Sequence, residues 1–361
     1  MHITKKSITN ITKAIIFITL FIMLFTFLST VFTYVSNTSE DGMENRISRA
    51  YRGEEKDSID IMLLGNSDIY RGFSPVDLYH KTKITSAISG QPGATIDKVY
   101  ESAKDILKYQ KPKMIVLETD CMFSDKDLEH EKKAESNEKT KKPVSDTVLD
   151  MLSFFRKLQN AAKNGDNIIL SAVNYYFPLI KYHDNWNKLT FSSFTKPSDS
   201  FYKFSNKGMA YSSDVKPFDA SIDYMKKNYG GKAKLTSKTS DIFDDIYKLC
   251  KENDIELVLI TVPSANSWNN GKSAEIQKLA KKYDLKYYDY NKKYPDGFDW
   301  NHHTNDGGNH LNYAGALTVT NDFGSKLKNE IKIPESSLTK DQQLEWEKDY
   351  SDFHEKINQN R

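Results

Sequence analysis

The strongest constraint on the fold is a short apolar segment, residues 59–65, that ends at a glycine and is followed closely by a serine. The segment reads IDIMLLG, which is typical of a buried strand. After Ser67 the apolar residues adopt the spacing of a turn and then a helix. A strand that continues into a helix through Gly-x-Ser holds the hydroxyl at the carboxyl edge of a sheet, beside the first N–H groups of the helix. Ser67 is therefore a candidate nucleophile, and the alternative is a serine that caps an ordinary helix.

Strand and helix patterns alternate along most of the chain after this segment. Further strands are predicted at 84–89, 113–119, 256–262 and 286–290. Helices are predicted at 95–109, 236–253, 273–283 and 313–327. This alternation predicts an α/β domain over 58–327, with a parallel central sheet between two layers of helices. Ligand sites in such sheets lie beyond the carboxyl ends of the strands, where Ser67, Gly90 and the sequence at 118–120 fall.

The composition excludes some classes of function. Lys+Arg 51 against Asp+Glu 49 gives a formal charge of only +2, which argues against a nucleic-acid binder that relies on a basic surface. The two cysteines, Cys121 and Cys250, are far apart, and no Cys/His spacing typical of a metal site occurs. We therefore expect neither a metal nor a cofactor.

A continuous apolar run at 14–34 is long enough to cross a bilayer as a helix. Lysines precede it within residues 1–13 and acidic residues follow it, so the positive-inside rule places the N-terminus in the cytoplasm and the rest outside. A cleaved signal peptide is the alternative. The run is longer than a usual signal core and lacks a clear cleavage site, which favours a retained single-pass anchor. Residues 35–57 are polar and predict a stalk.

The region 125–235 interrupts the α/β pattern and is predicted to be a helical and irregular insertion. Its predicted parts are a charged loop at 125–146 and helices at 148–159 and 167–181. The second helix runs into an aromatic cluster that contains Tyr182, His183 and Trp186. These side chains either pack a helix onto the domain or line a groove for a sugar acceptor, since sugars stack on aromatic rings. Residues 328–361 are predicted to be a polar tail, as an appended helix.

The loop before the last predicted helix carries the second half of a candidate site. Asp306 lies four residues before His310, and the sequence there reads DGGNHLNYAGA. An aspartate just before a histidine at a helix start supplies the base and its orienting carboxylate in several hydrolases. Alternatively, His310 is a packing or capping residue and Asp306 a turn residue beside two glycines.

These segments together resemble the SGNH (GDSL-like) hydrolase superfamily over about 58–327. The stretches that carry the resemblance are IMLLGNSDIYRGFSP, ISGQPGAT, MIVLETDCMF and DGGNHLNYAGA. The chain is most similar to membrane-anchored SGNH-like proteins that act with membrane-bound O-acyltransferases to acylate cell-surface polysaccharides. The resemblance implies an SGNH-like three-layer fold.

The resemblance also implies roles for individual residues. Ser67 would be the nucleophile, His310 the base and Asp306 its partner, while the Ser67 N–H with Gly90 or Gly93 would form the oxyanion hole. The chain departs from the family pattern at two places. Glu-Thr-Asp at 118–120 replaces the block that contains the family's asparagine donor, and glycine stands three residues before the histidine where the family has aspartate. Asp299 is therefore an alternative acid.

The function that follows from the resemblance is extracytoplasmic O-acetylation of a cell-surface polysaccharide through a Ser/His/Asp acyl-enzyme. The implied partners are the polysaccharide acceptor, a membrane-bound O-acyltransferase or other acyl donor, and the membrane. Three alternatives remain open at this point: an esterase, a teichoic-acid D-alanyl transfer protein, and a non-catalytic binding or scaffold protein on the same fold.

Overall fold

A computed structural model of the chain describes residues 5–35, 43, 46–123, 186, 194, 202–226 and 233–359. The helices predicted at 148–159 and 167–181 and the loop at 125–146 lie outside the described residues. The chain divides into two compact units. The first takes Met1–Thr38 and Lys139–Pro197, and the second takes Ser39–Glu138 and Ser198–Arg361.

The first unit contains helix α1, Lys5–Val35. Its most apolar part, Thr12–Ser29, has a mean hydropathy of 2.1 and is only 6% buried. The helix is long and apolar enough to cross a membrane, and a signal sequence or a buried helix meets the same criteria.

The second unit is built on a five-stranded sheet with the strand order β2-β1-β3-β4-β5. The strands are β1 Ile61–Gly65, β2 Ser86–Gly90, β3 Met114–Glu118, β4 Glu256–Thr261 and β5 Tyr287–Asp289. All neighbouring pairs are parallel. The side chains of the first three strands are buried throughout, because helices cover both faces of such a sheet. The predicted α/β class with a parallel central sheet is confirmed.

The helices of this unit form two groups. Their bounds are α2 Ser67–Gly72, α3 Pro75–Thr82, α4 Ile96–Ile106, α5 Ser237–Glu252, α6 Asn270–Tyr283, α7 Tyr313–Lys326 and α8 Lys340–Gln359. One group joins α3 to α7 and α8, and the other joins α4 to α5. The chain passes from β1 to β2 in one direction along the sheet and from β3 to β4 in the other. Because both crossovers are right-handed, the two groups of helices lie on opposite faces of the sheet.

The strand order fixes the position of a binding crevice. In sheets ordered 2-1-3-4-5 the connections diverge between β1 and β3, and a crevice opens at the carboxyl ends of these strands. The last residue of β1, Gly65, pairs with Gly90 at the end of β2. A Cβ on Gly65 would lie 2.7 Å from the Cβ of Glu118 in β3. The absence of a side chain at position 65 therefore lets β1 and β3 end close together.

The structure corrects the predicted stalk over 35–57. Residues Ile47–Arg52 form a 3-10 helix that packs on the second unit, with Ala50 and Tyr51 fully buried. The Tyr51 hydroxyl donates a hydrogen bond of 2.6 Å to Asp105 in α4. Burial of these side chains makes the end of the predicted stalk part of the folded unit.

The C-terminal stretch 328–361, expected to be a polar tail, contributes to the core. Within it, α8 buries one face, formed by Trp346, Asp349, Phe353 and Ile357. Lys207, which is fully buried, pairs with Asp349 and with Glu54, the latter at 2.8 Å. The apolar positions recur at helical spacing, but they are diluted by charged neighbours that conceal the pattern in the sequence.

Candidate active site

Ser67 is the first residue of α2, two residues beyond Gly65, the last residue of β1. Asn66 is the N-cap, and its side-chain oxygen accepts a 2.9 Å hydrogen bond from the Asp68 N–H. The first N–H groups of a helix have no acceptor within that helix. The Ser67 hydroxyl and its own backbone N–H therefore lie together at the carboxyl edge of the sheet.

His310 and Asp306 lie in the loop between β5 and α7. The carboxylate of Asp306 folds this loop by accepting hydrogen bonds from the backbone N–H of Asn309 at 3.0 Å and of His310 at 2.8 Å. Gly307 and Gly308 adopt φ of +81° and +100°, a region that favours glycine. The two glycines thus allow a carboxylate four residues before the histidine to reach its ring.

Three side chains from these segments form a continuous hydrogen-bonded chain. His310 Nε2 lies 2.8 Å from Ser67 Oγ, and His310 Nδ1 lies 2.6 Å from Asp306 Oδ2. With the Asp306 carboxylate accepting from Nδ1–H, the neutral ring presents Nε2 as the acceptor for the Ser67 hydroxyl. The arrangement has the geometry of a nucleophile, a base and an orienting acid.

The electrostatics of the pair match this arrangement. Burial lowers the pKa of His310, but the hydrogen bond to Asp306 and the charges of Asp68 and Asp306 outweigh it, so the pKa is raised above 6.5. Burial raises the pKa of Asp306, but its hydrogen bonds from the His310 side chain and backbone prevail, so the pKa is lowered. Both shifts favour an imidazolium that faces a carboxylate, which is the charge state formed when a base takes the proton of a nucleophile.

The two glycines expected at the oxyanion hole occupy different surroundings. A Cβ on Gly90 would lie 2.9 Å from the Asn66 carbonyl oxygen and 2.7 Å from Ile69, so Gly90 packs against the turn that carries Ser67. A Cβ on Gly93, whose φ is +54°, would meet no heavy atom within 4 Å. Gly90 is therefore the glycine that lies against the Ser67 turn.

Asp299, the alternative acid, binds a different histidine. Its Oδ2 lies 2.6 Å from His302 Nδ1, and its backbone N–H donates to His303 Nδ1 at 3.0 Å. The carboxylate on His310 is that of Asp306. No group of three or more metal-ligating side chains occurs among the described residues.

The residues proposed to line an acceptor groove are only partly described. Tyr182 and His183 lie outside the described residues. Trp186 belongs to the first unit and is 70% exposed.

A second polar network lies at the ends of β1 and β3, and the sequence indicates only part of it. Asn66 Nδ2 donates to Asp120 Oδ2 at 3.2 Å, and Lys272 Nζ lies 3.0 Å from Asp120 Oδ1. Glu118, fully buried, accepts the Asp120 N–H with both carboxylate oxygens. Glu-Thr-Asp after a strand signals polar groups at this edge, whereas nothing around Lys272 in the sequence marks it as their partner.

Burial and mutual repulsion perturb the carboxylates of this network. Burial, followed by the charge of Asp120, raises the pKa of Asp68 to about 7. Burial, followed by the charges of Asp68 and Asp120, raises the pKa of Glu118 well above 4.5. Both shifts favour the neutral form of these carboxyl groups, so the edge carries less negative charge than its composition suggests.

The described end of the predicted insertion supports the histidine loop. The Lys216 N–H donates to the Thr304 carbonyl at 3.0 Å, and the Gly307 N–H donates to the Lys216 carbonyl at 3.1 Å. Phe218 packs against Gly308, where an added Cβ would lie 2.7 Å from its ring. The sequence did not predict that this segment supports the histidine loop. Residues 190–235 have no periodic pattern, and the position of such an irregular segment is set by tertiary contacts.

Comparisons with known proteins give no family assignment. No family model matches the chain, and no curated protein sequence matches it. Among solved structures, the chain is similar to a putative acylhydrolase from Bacteroides fragilis, at 12% identity and a TM-score of 0.36, over 78% of this chain and 94% of that chain. A likeness of this degree carries no argument, so the class of reaction is inferred from the geometry of the site.

Proposed function

We propose that the second unit is a serine-dependent acyl-transfer enzyme in which Ser67 carries the acyl group. The observation that supports this most strongly is the hydrogen-bonded chain from Ser67 through His310 to Asp306, at 2.8 and 2.6 Å. An isolated serine, histidine or aspartate has many structural uses. A serine at a strand–helix turn, hydrogen-bonded to a partly buried imidazole that a carboxylate orients, matches the requirements of an activated nucleophile.

The proposed reaction proceeds through two tetrahedral intermediates. Ser67 Oγ attacks the carbonyl carbon of an O-acyl ester while Nε2 of His310 takes the hydroxyl proton. Asp306 stabilises the imidazolium, which then gives its proton to the departing alcohol as the acyl–oxygen bond breaks. An incoming hydroxyl or water, deprotonated by His310, releases the acyl group from Ser67 by the same steps in reverse.

The negative charge on the carbonyl oxygen requires donors close to Ser67. In this proposal the backbone N–H groups of Ser67 and Gly90 serve as the oxyanion hole, and each such donor contributes about 3 kcal/mol to transition-state stabilisation. The amino end of α2 adds a favourable dipole. Gly90 fits this role because it packs against the Ser67 turn.

The acceptor in this proposal is a cell-surface polysaccharide, and the acyl group is acetyl. Helix α1 anchors the chain, and the lysines in residues 1–13 favour a cytoplasmic N-terminus with the second unit outside. An anchored enzyme at that surface would receive acyl groups from a membrane-bound O-acyltransferase. An esterase uses the same chemistry, with water in place of the sugar hydroxyl.

The test is labelling of the full-length protein by a serine-directed fluorophosphonate, with acetyl transfer to the native polysaccharide as the second measurement. We expect labelling and acetylation in the wild type, and neither in Ser67→Ala. Ser240→Ala, on helix α5, is the matched control, because the Ser240 hydroxyl bonds the Thr236 carbonyl within its own segment; this variant should retain both. Ser67-dependent release of acetate to water, without transfer to polysaccharide, would identify an esterase. Equal labelling and equal acetylation in Ser67→Ala would exclude Ser67 as the nucleophile.

A further inference from the structure

Arg71 lies on the same helix as Ser67, four residues later. Residues separated by four positions lie on one face of a helix, one above the other. The side chains of long helical residues also point back towards the N-terminus, over the preceding turn. This spacing predicts that the guanidinium of Arg71 reaches the end of α2 that carries Ser67.

The electrostatics of the site agree with this placement. Burial and the charge of Arg71 both lower the pKa of His310, against the raising effect of Asp306 and Asp68. The guanidinium carbon lies 5.8 Å from the centroid of the Tyr70 ring, and that ring lies 3.2 Å from the position of a Cβ on Gly90, the glycine that packs against the Ser67 turn. Coulombic effects at the edge of a site fall off quickly with distance because water and salt screen them.

No acidic side chain among the described residues forms an ion pair with Arg71. Among the ion pairs of the described residues, none includes Arg71, although many other cationic side chains of this unit pair with carboxylates. Its closest described ring contact is with Tyr70, whose ring centroid lies 5.8 Å from the guanidinium carbon. An arginine beside a nucleophile, without a carboxylate partner, has its hydrogen-bond donors available to a ligand.

We infer that Arg71 binds an anionic group, a carboxylate or a phosphate, on the alcohol side of the ester that reacts at Ser67. The planar guanidinium matches both groups because it donates two parallel hydrogen bonds to a pair of oxygens. This inference rests on the proposed function and narrows its substrate class to acceptors that carry negative charge near the acylated hydroxyl. A neutral acceptor would offer the Arg71 guanidinium no anionic partner.

The test compares anionic and neutral acetyl esters with the full-length protein. The substrates are 4-acetoxybenzoate, 4-acetoxyphenyl phosphate and the uncharged 4-methylphenyl acetate. For each variant the quantity of interest is the ratio of kcat/KM for an anionic ester to kcat/KM for the neutral ester. Comparing the same ratio between variants cancels differences in the intrinsic reactivity of the esters.

We expect Arg71→Gln to lower this ratio by ~10- to 100-fold, the loss typical of one charged hydrogen-bonded contact. Arg71→Lys should retain part of the ratio, because the charge remains and the second hydrogen bond is lost. The matched control is Lys281→Gln, near the end of α6, which lies at the opposite edge of the sheet because such helices run antiparallel to the strands. The anionic ester whose ratio falls more in Arg71→Gln identifies the preferred anion as carboxylate or phosphate.

A ratio that is the same in Arg71→Gln and the wild type overturns the inference, as does an equal fall in Lys281→Gln. A binding measurement separates this failure from a failure of the proposed function. In the Ser67→Ala background, Arg71→Gln should weaken the binding of 4-hydroxyphenyl phosphate in equilibrium dialysis by a similar factor. That result requires no turnover, so it stands even if Ser67 proves not to be a nucleophile, whereas unchanged binding counts against Arg71 alone.

Discussion

Lys272 and Asp120 form an ion pair between α6 and the end of β3, with Nζ 3.0 Å from Oδ1 and side chains that are only 9% and 15% exposed. The same ammonium donates to the Ser267 carbonyl at 2.7 Å. The other oxygen of Asp120 accepts the side-chain amide of Asn66, the residue before Ser67. The ion pair therefore connects α6 to the turn that holds the candidate nucleophile.

Replacing Lys272 with methionine should destabilise the second unit and lower activity. The substitution leaves the Asp120 carboxylate mostly buried without its ammonium, a change that typically costs about 3 kcal/mol or more. Thermal unfolding should show a lower midpoint. The value of kcat should also fall, because Lys272 no longer holds Asp120, the acceptor of the Asn66 side-chain amide, in place. The double variant Lys272→Met/Asp120→Asn should recover part of the stability. Lys278→Met, on the same helix with a side chain 78% exposed, should change the midpoint little.

A separate prediction concerns the pH dependence of the reaction. His310 acts as a base only when neutral, and its pKa is raised above 6.5. The rate should therefore rise with pH, and the midpoint of kcat/KM against pH should lie above 6.5. Asp306→Asn removes a hydrogen bond and a charge that raise this pKa, so the midpoint should move to lower pH. The plateau rate should also fall, by about 10²- to 10⁴-fold.

Asp299 provides the control for this profile. Because Asp299 binds His302 and not His310, Asp299→Asn should leave both the midpoint and the plateau unchanged. A shift in Asp299→Asn with none in Asp306→Asn would reverse the assignment of the acid.

The sequence predicted the sheet because β1, β3 and β4 are compact apolar runs, each ending at a glycine or a polar group. Ile61–Gly65 and Met114–Glu118 are such runs, and both are buried. Ser67, His310 and Asp306 could be singled out because the chemistry of a nucleophile demands these residue types at strand and helix ends. That they lie within hydrogen-bond reach depends on the strand order, which places segments 243 positions apart at one edge.

Other parts of the site could not be predicted in this way. Lys272 resembles the other lysines of an amphipathic helix, and only the tertiary structure places it beside Asp120. Phe218 stands in a segment without period, and its contact with Gly308 depends on a loop from another part of the chain. Tyr51 and Trp346 lie within charged stretches, so their burial could not be inferred from local composition.

Glu118 should make the stability of the second unit depend on pH. Because burial raises its pKa well above 4.5, the folded state holds the Glu118 proton up to a higher pH than the unfolded state does. The contribution of protonated Glu118 to the free energy of unfolding is complete below pH 4.5. It is lost as pH rises towards the pKa of the folded state, by at most about 1.4 kcal/mol per pH unit. Glu118→Gln keeps an acceptor for the Asp120 N–H but cannot ionise. The difference in thermal midpoint between Glu118→Gln and the wild type should change in favour of the variant as pH is raised from 4.5 to 7.5. A difference that stays constant over this range would contradict the prediction.

Phe218 should affect activity through the histidine loop, since its ring packs against Gly308 and it shares a small cluster with Tyr224, Ala265 and Trp300. Phe218→Ala removes this ring, which is 93% buried, and should cost about 3 kcal/mol or more of stability through the cavity it leaves. Phe218→Leu fills most of the space and should cost less. If the contact positions the loop, kcat for ester hydrolysis should fall in Phe218→Ala even well below its unfolding temperature, with partial recovery in Phe218→Leu. Full activity in folded Phe218→Ala would show that Asp306 and its two backbone hydrogen bonds hold His310 in place without the insertion.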